Sequence, residues 1–211
     1  MRFNQMLILK SNIIFLLVVA ICFVLLIQSC NLFKTRNPEE PIIDNNNGAY
    51  PPRTKAEVVI SNFYKAVKEK NVDKYIDCLS DTLQNAKSEF YFLSASDASK
   101  YGDIFRNWNI SGERQYFLTM INALGDNISP ELDITGDRID FSSSDSVIYI
   151  ADYYLFVNHN NSTKINKASG AFQFTIVPNN SGLWSISKWQ DIAHPKDTLS
   201  TWSVLKAQFL N

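Results

Sequence analysis

Near Ile128 the recurrence of apolar residues changes from the spacing of helices to that of strands, and few architectures accommodate that change within one chain. Upstream, Val59, Phe63, Ala66 and Val67 fall at helical spacing, with Lys55, Asn62, Lys65 and Glu69 among the polar positions, which predicts an amphipathic helix. Thr54-Lys55-Ala56-Glu57 reads as its capping box, the Thr54 hydroxyl accepting from first-turn amides while Glu57 reaches back. The chain turns after Lys70-Asn71, and Asp73 opens a second short helix that buries Tyr75, Ile76 and Leu79. Residues 89–93 predict a short strand and residues 94–102 a polar loop. Ser111 is the expected N-cap of a further helix with Phe117, Met120, Ile121 and Leu124 inward, stopped by Gly125-Asp126-Asn127. The aromatic residues Tyr91, Phe92, Trp108, Tyr116 and Phe117 are expected mainly as core.

Downstream, residues 128–141 predict a strand carrying Leu132, Ile134, Ile139 and Phe141, broken or bulged at Gly136-Asp137. Residues 147–157 alternate Val147, Tyr149, Ala151, Tyr153, Leu155 and Val157 against Ile148, Ile150, Asp152, Tyr154 and Phe156. Both sets are largely apolar, which predicts a central strand covered on both faces. In residues 168–177, Phe172, Phe174 and Ile176 alternate with Gln173 and Thr175, and Asn179-Asn180-Ser181-Gly182 turns the chain into a last strand. Trp202, Leu205 and Phe209 have the spacing of a short closing helix. Helices first and an antiparallel meander afterwards predict an α+β fold, its N-terminal helices packed on one face of a curved, mostly antiparallel sheet.

The run Asn62-Phe63-Tyr64-Lys65-Ala66-Val67-Lys68-Glu69-Lys70-Asn71-Val72-Asp73-Lys74-Tyr75 and the closing Leu183-Trp184-Ser185-Ile186-Ser187-Lys188-Trp189-Gln190-Asp191 resemble the nuclear transport factor 2-like superfamily, over residues 54–192. The resemblance implies a cone-shaped domain, and specifies a fold better than an activity. Its members include ketosteroid isomerase-like and dehydratase-like enzymes, transport adaptors and many domains with no known chemistry. The enzymes work inside the cone, with a carboxylate as base and a Tyr or protonated Asp donating to a developing oxyanion. On that implication the pocket candidates are Tyr64 on the first helix, Asp152, Tyr153 and Tyr154 on the central strand, and Asp191 on the last strand. The position where ketosteroid isomerase-like enzymes carry a catalytic Tyr is Phe63 here, and no loop acid follows the second helix. No catalytic constellation is therefore recognised, and the expectation is a non-enzyme that binds a small apolar ligand or an envelope protein. The alternatives are a cone-pocket isomerase or dehydratase using Asp152 with a Tyr, and a structural protein using its open sheet face.

Arg2 and Lys10 precede an uncharged apolar segment, residues 13–27, in the order of a secretory signal. It ends in Ile27-Gln28-Ser29-Cys30, which resembles the lipobox of bacterial lipoproteins. The resemblance implies a cut after Ser29 and a diacylglyceryl thioether on Cys30, with the outer membrane favoured because Asn31 is not Asp. The alternative is a retained transmembrane helix. Pro38, Pro41, Pro51, Pro52, Glu39-Glu40 and Asn45-Asn46-Asn47-Gly48 predict a flexible spacer. The expected organisation is a signal over residues 1–29, a lipidated Cys30 and spacer over 30–53, and one domain over 54–211.

A formal net charge of −1 with interspersed signs excludes the basic stripe that nucleic acid requires. Cys78 is the one cysteine beyond the signal and Cys30, and beside Ile76 and Leu79 it reads as a small buried hydrophobe. His159 and His194 have no second ligand at metal spacing, and no Gly-rich phosphate loop or nucleophile elbow occurs. No metal or cofactor is expected.

Overall fold

The computed structural model describes residues 50–210; the expectations for the signal, for Cys30 and for most of the spacer lie outside the described residues. Helix α1 (Ala56–Lys68) forms on the predicted stripe and buries Val59, Phe63, Ala66 and Val67. Its N-cap is Lys55, without a side-chain cap bond, so the Thr54 capping box is corrected: the helix starts one residue too late for that hydroxyl, and the Thr54 amide turns back onto the Pro52 carbonyl at 2.8 Å. Helix α2 (Val72–Asp77) is capped by Asn71, which accepts from the Lys74 amide, and not by Asp73. Cys78 follows it, fully buried, with burial pushing its thiol up to about 12. The residues read as a loop after β1 (Tyr91–Leu93) contain a 3-10 helix, Ser96–Tyr101, and the short α3 (Gly102–Phe105). Asn109, not Ser111, caps α4 (Ile110–Asn122), accepting from the Ser111 and Gly112 amides. Of the expected aromatic core, Tyr91 is exposed and Phe92, Trp108, Tyr116 and Phe117 are buried.

Strands β2 (Glu131–Ser142), β3 (Val147–Phe156), β4 (Lys167–Pro178) and β5 (Trp184–Ile192) run as an antiparallel meander, and β1 joins β5 in parallel. The order is β1-β5-β4-β3-β2, so among the described residues the sheet is open, with β1 and β2 as its edges. On β3 the face of Val147, Tyr149, Ala151, Tyr153 and Leu155 is buried. Its other face is half-buried or exposed, which corrects the expectation of a strand covered on both sides: the helices pack on the first face, hereafter the inner face. The bulge predicted in β2 is present. Thr135 pairs with Asp152 and Arg138 with Ile150, so Gly136 and Asp137 together face one residue, and Gly136 takes φ +60°.

Helix α5 (Trp202–Leu210) lies against the inner face and is buried on every side. Its apolar residues explain that placement, since a helix without a polar stripe belongs inside. Phe63 ties the layers together, its ring centroid 5.3–6.2 Å from those of Tyr75, Phe174, Trp189 and Trp202. Residues 50–53, expected in the spacer, bond to this body: Asn62 Nδ2 donates to the Pro51 carbonyl at 2.9 Å, and the Trp184 amide to Arg53 at 2.7 Å.

Candidate functional site

Two polar groups reach across the inner face from strands that are not neighbours. Tyr153 stands on β3 and Asp191 on β5, with β4 between them. Strands two apart are separated by about 9–10 Å, which a tyrosine side chain bridges only over a small residue. Gly170 of β4, the register partner of Tyr153, is that residue: a Cβ there would lie 3.0 Å from the Tyr153 hydroxyl and 2.6 Å from the Ile192 carbonyl oxygen. The Tyr153 hydroxyl thus donates to Asp191 Oδ1 at 2.8 Å.

The first turn of α5 completes this pair. The Trp202 amide donates to the Tyr153 oxygen at 2.7 Å, while the Ser203 amide and hydroxyl donate to Asp191 Oδ2 at 2.7 and 2.5 Å. Burial raises the Asp191 carboxyl above its ordinary range, against the bonds from Ser203 and Tyr153 that lower it. Burial and then the Asp191 charge hold the Tyr153 hydroxyl protonated well above its ordinary range. A carboxyl tuned upward beside a hydroxyl kept as a donor is the equipment for moving a proton and steadying an oxyanion.

A second polar cluster sits deeper. Glu113, fully buried on α4, accepts from Tyr75 at 2.5 Å, from Trp108 Nε1 at 2.6 Å and from Lys206 Nζ at 2.6 Å to each oxygen. The ammonium also lies 3.5 and 3.9 Å from the ring centroids of Trp189 and Phe92. Burial pulls Lys206 down to about 8, with Glu113 opposing that shift.

The residues proposed from sequence are dispersed. Asp191 is buried in the pair just described, while Tyr64 is partly exposed and lines a groove of about 430 Å³ beside α1. Asp152 lies on the other face of β3, bonded to His194 at 3.1 Å, and Tyr154 is half-buried on that same face. The pairing of Asp152 with a Tyr is therefore corrected: strand alternation puts Asp152 on the face away from Tyr153, and the carboxylate meets His194 there and not the hydroxyl of Tyr154. The expectation that no catalytic constellation is present is also overturned, by the Tyr153–Asp191 pair. Glu113 and Lys206 were not singled out by sequence. Their signal is positional: Glu113 falls on the stripe of Phe117 and Met120, and Lys206 is the only charge in α5. Among the described residues no group of His, Cys, Asp and Glu could hold a metal ion, and no helix is long and apolar enough to cross a membrane.

No family model matches the chain, and no curated protein matches it. Among solved structures it is similar to a protein of Novosphingobium aromaticivorans assigned as an aromatic ring hydroxylase, at 11% identity and TM-score 0.51, over 72% of this chain and 96% of that one. A nuclear transport factor 2-like superfamily protein of Salmonella enterica matches at 10% identity and TM-score 0.48, over 66% and 88%. A protein of Streptomyces avermitilis assigned as a dehydratase of that family matches at 5% and 0.47, over 65% and 93%. The first likeness is one of fold alone, and the other two add nothing to it. Helices on one face of a mostly antiparallel sheet, with an Asp–Tyr pair on that face, define an α+β domain.

Proposed function

We propose that the domain is an acid–base enzyme of the isomerase or dehydratase kind, acting on a small, largely apolar molecule at the inner face of its sheet. The observation that carries this reading is the buried Tyr153–Asp191 pair at 2.8 Å. In its ionised form Asp191 takes a proton from carbon next to a carbonyl; the carboxyl so protonated gives up the bond from Tyr153, whose hydroxyl turns to donate to the oxygen on which charge develops. A carboxyl raised by burial is a stronger base than an ordinary one, which brings its proton affinity nearer to that needed at neutral pH.

The first turn of α5 stands where the substrate would sit. Lifting it releases the bonds from the Trp202 amide and from the Ser203 amide and hydroxyl. At about 1.5–3 kcal/mol for each of the two bonds to the Asp191 carboxylate and about 1 kcal/mol for the one to the Tyr153 hydroxyl, the accepting form is a minor one, and apparent affinity falls with its fraction. Residues 195–199, which lead into α5, are exposed and leave the turn a route outward. The lipobox reading adds the location: Cys30 is acylated and holds the domain in the cell envelope, at the outer membrane, with the spacer giving reach.

Deuterium incorporation from D2O into a panel of cyclic ketones and β,γ-unsaturated ketones, followed by NMR, tests the chemistry. Exchange above the buffer rate that falls at least 100-fold in Asp191→Asn and in Tyr153→Phe is the expected result. Equal exchange in all three proteins contradicts the reading.

A further inference from the structure

We propose that the groove between α1 and the bulged edge of the sheet is a second ligand site, which takes a small apolar molecule carrying a protonated amine, seated on Asp137 and Tyr149. The bulge builds this site. Leu132 and Ile134 point inward on β2, and by simple alternation Asp137 would point outward. Because Gly136 and Asp137 together oppose one residue of β3, the alternation reverses, Ile139 comes into register with Tyr149, and Asp137 turns to the inner side. There Asp137 and Tyr149 line the groove together, the carboxylate near enough to the hydroxyl to raise it.

The walls are apolar, from Ile60, Ile134, Ile139, Val147 and Ile176, and the volume of about 430 Å³ lies within the range of small-molecule sites. Hydrogen-bond polarity and charge select the ligand. Burial and then the nearby Asp137 carboxylate push the Tyr149 hydroxyl up to about 12, so it stays protonated beside a carboxylate that can only accept. The remaining lone pairs of Asp137 and Tyr149 are acceptors and require a donor. Glu57 adds a second carboxylate to the lining, against one cation, Arg138, which lies 3.7 Å from Asp140 on the exposed side, so negative charge is in excess. The groove therefore complements an ammonium and opposes a carboxylate.

This site is distinct from the Tyr153–Asp191 pair. The Phe172 ring lies between them, its centroid 6.1 Å from that of Tyr149 and 5.9 Å from that of Tyr153. Titration calorimetry of the full chain with 2-(1-naphthyl)ethylamine and, separately, with 1-naphthylacetic acid at pH 7 tests the proposal. The amine is expected to saturate one site and to bind at least ten-fold more tightly than the acid. Asp137→Asn should weaken the amine at least five-fold, and Ser61→Trp, placed on the exposed side of α1 at the groove, should abolish saturable binding without unfolding the chain. Asp191→Asn should leave amine binding unchanged, which separates this site from the catalytic reading. Equal binding of amine and acid, or amine binding that survives both Asp137→Asn and Ser61→Trp, overturns the proposal.

Discussion

Lys206 Nζ lies 2.6 Å from each carboxylate oxygen of Glu113, across 93 residues of chain, and neither side chain is exposed. The pair fixes α5 to α4 at the centre of the fold. Tyr75 and Trp108 supply the remaining donors to the carboxylate, so the charge is both paired and hydrogen-bonded. Such a pair contributes little net stability against an apolar replacement, yet removing one partner leaves a buried charge alone.

Lys206→Met is therefore expected to destabilise the domain by about 3–5 kcal/mol, read as a loss of urea midpoint. Adding Glu113→Gln should recover part of that loss, because the second change removes the orphaned charge. A double variant no more stable than the single one would show that the aromatic packing around the ammonium, and not charge pairing, dominates.

The same lysine sets an alkaline pH dependence. Its folded value of about 8 lies below the ordinary 10.5, so above pH 8 the unfolded chain holds more protons and stability rises with pH. Cys78, raised from 9.0 to about 12, acts in the opposite sense above pH 9, and Tyr75, Tyr116 and Tyr153, all raised, do so above pH 10. Stability should gain on the order of 1 kcal/mol between pH 8 and 9, level off and then fall. Denaturant titrations at half-unit pH intervals measure this profile, and Lys206→Met should lack the rise.

Much of the fold was legible because its signals are local. The stripe of α1, the alternation of β3 and the bulge at Gly136-Asp137 depend on residues a few positions apart. Capping was less legible where two competent residues stand close together, as with Asn109 and Ser111 before α4. The site was only half legible. Alternation alone separates Asp152 from Tyr153, but with both faces of β3 apolar, nothing local says which side the helices cover. The partner of Tyr153 depends on a glycine on the intervening strand, and the burial of Lys206 depends on a carboxylate on another helix. These relationships exist only once the chain is assembled.

Gly170→Ala tests how the Asp–Tyr pair is made possible. The added Cβ meets the Ile192 carbonyl at 2.6 Å, a backbone atom that cannot swing aside, and the Tyr153 hydroxyl at 3.0 Å. A loss of about 1–3 kcal/mol is expected, with Tyr153 displaced from Asp191. Thermal melts report the first effect and a crystal structure of the variant the second. An unaltered melt would mean that β4 and β5 separate easily at this point.

Cys30→Ala tests the location. On the proposed lipobox reading, neither acylation nor the cut after Ser29 can follow without that thiol, so the uncut precursor should accumulate and the lipid-bearing form disappear. Metabolic labelling with a palmitate analogue, and the mass of the amino-terminal peptide, check it. Unlabelled wild-type protein that still begins at Met1 would make residues 13–27 a retained helix.

The catalytic account stands or falls on whether the Tyr153–Asp191 pair is uncovered while the rest of the domain stays folded. Hydrogen exchange of the Trp202 and Ser203 amides measures this directly, because those amides bond to the pair itself. They are expected to exchange by local opening, several kcal/mol below global unfolding and nearly independent of low denaturant, while the β4 amides of Phe172 and Phe174 exchange only by global unfolding. Equal protection of all four amides, with equal dependence on denaturant, would mean that α5 seals the pair for as long as the fold persists, and would contradict the account.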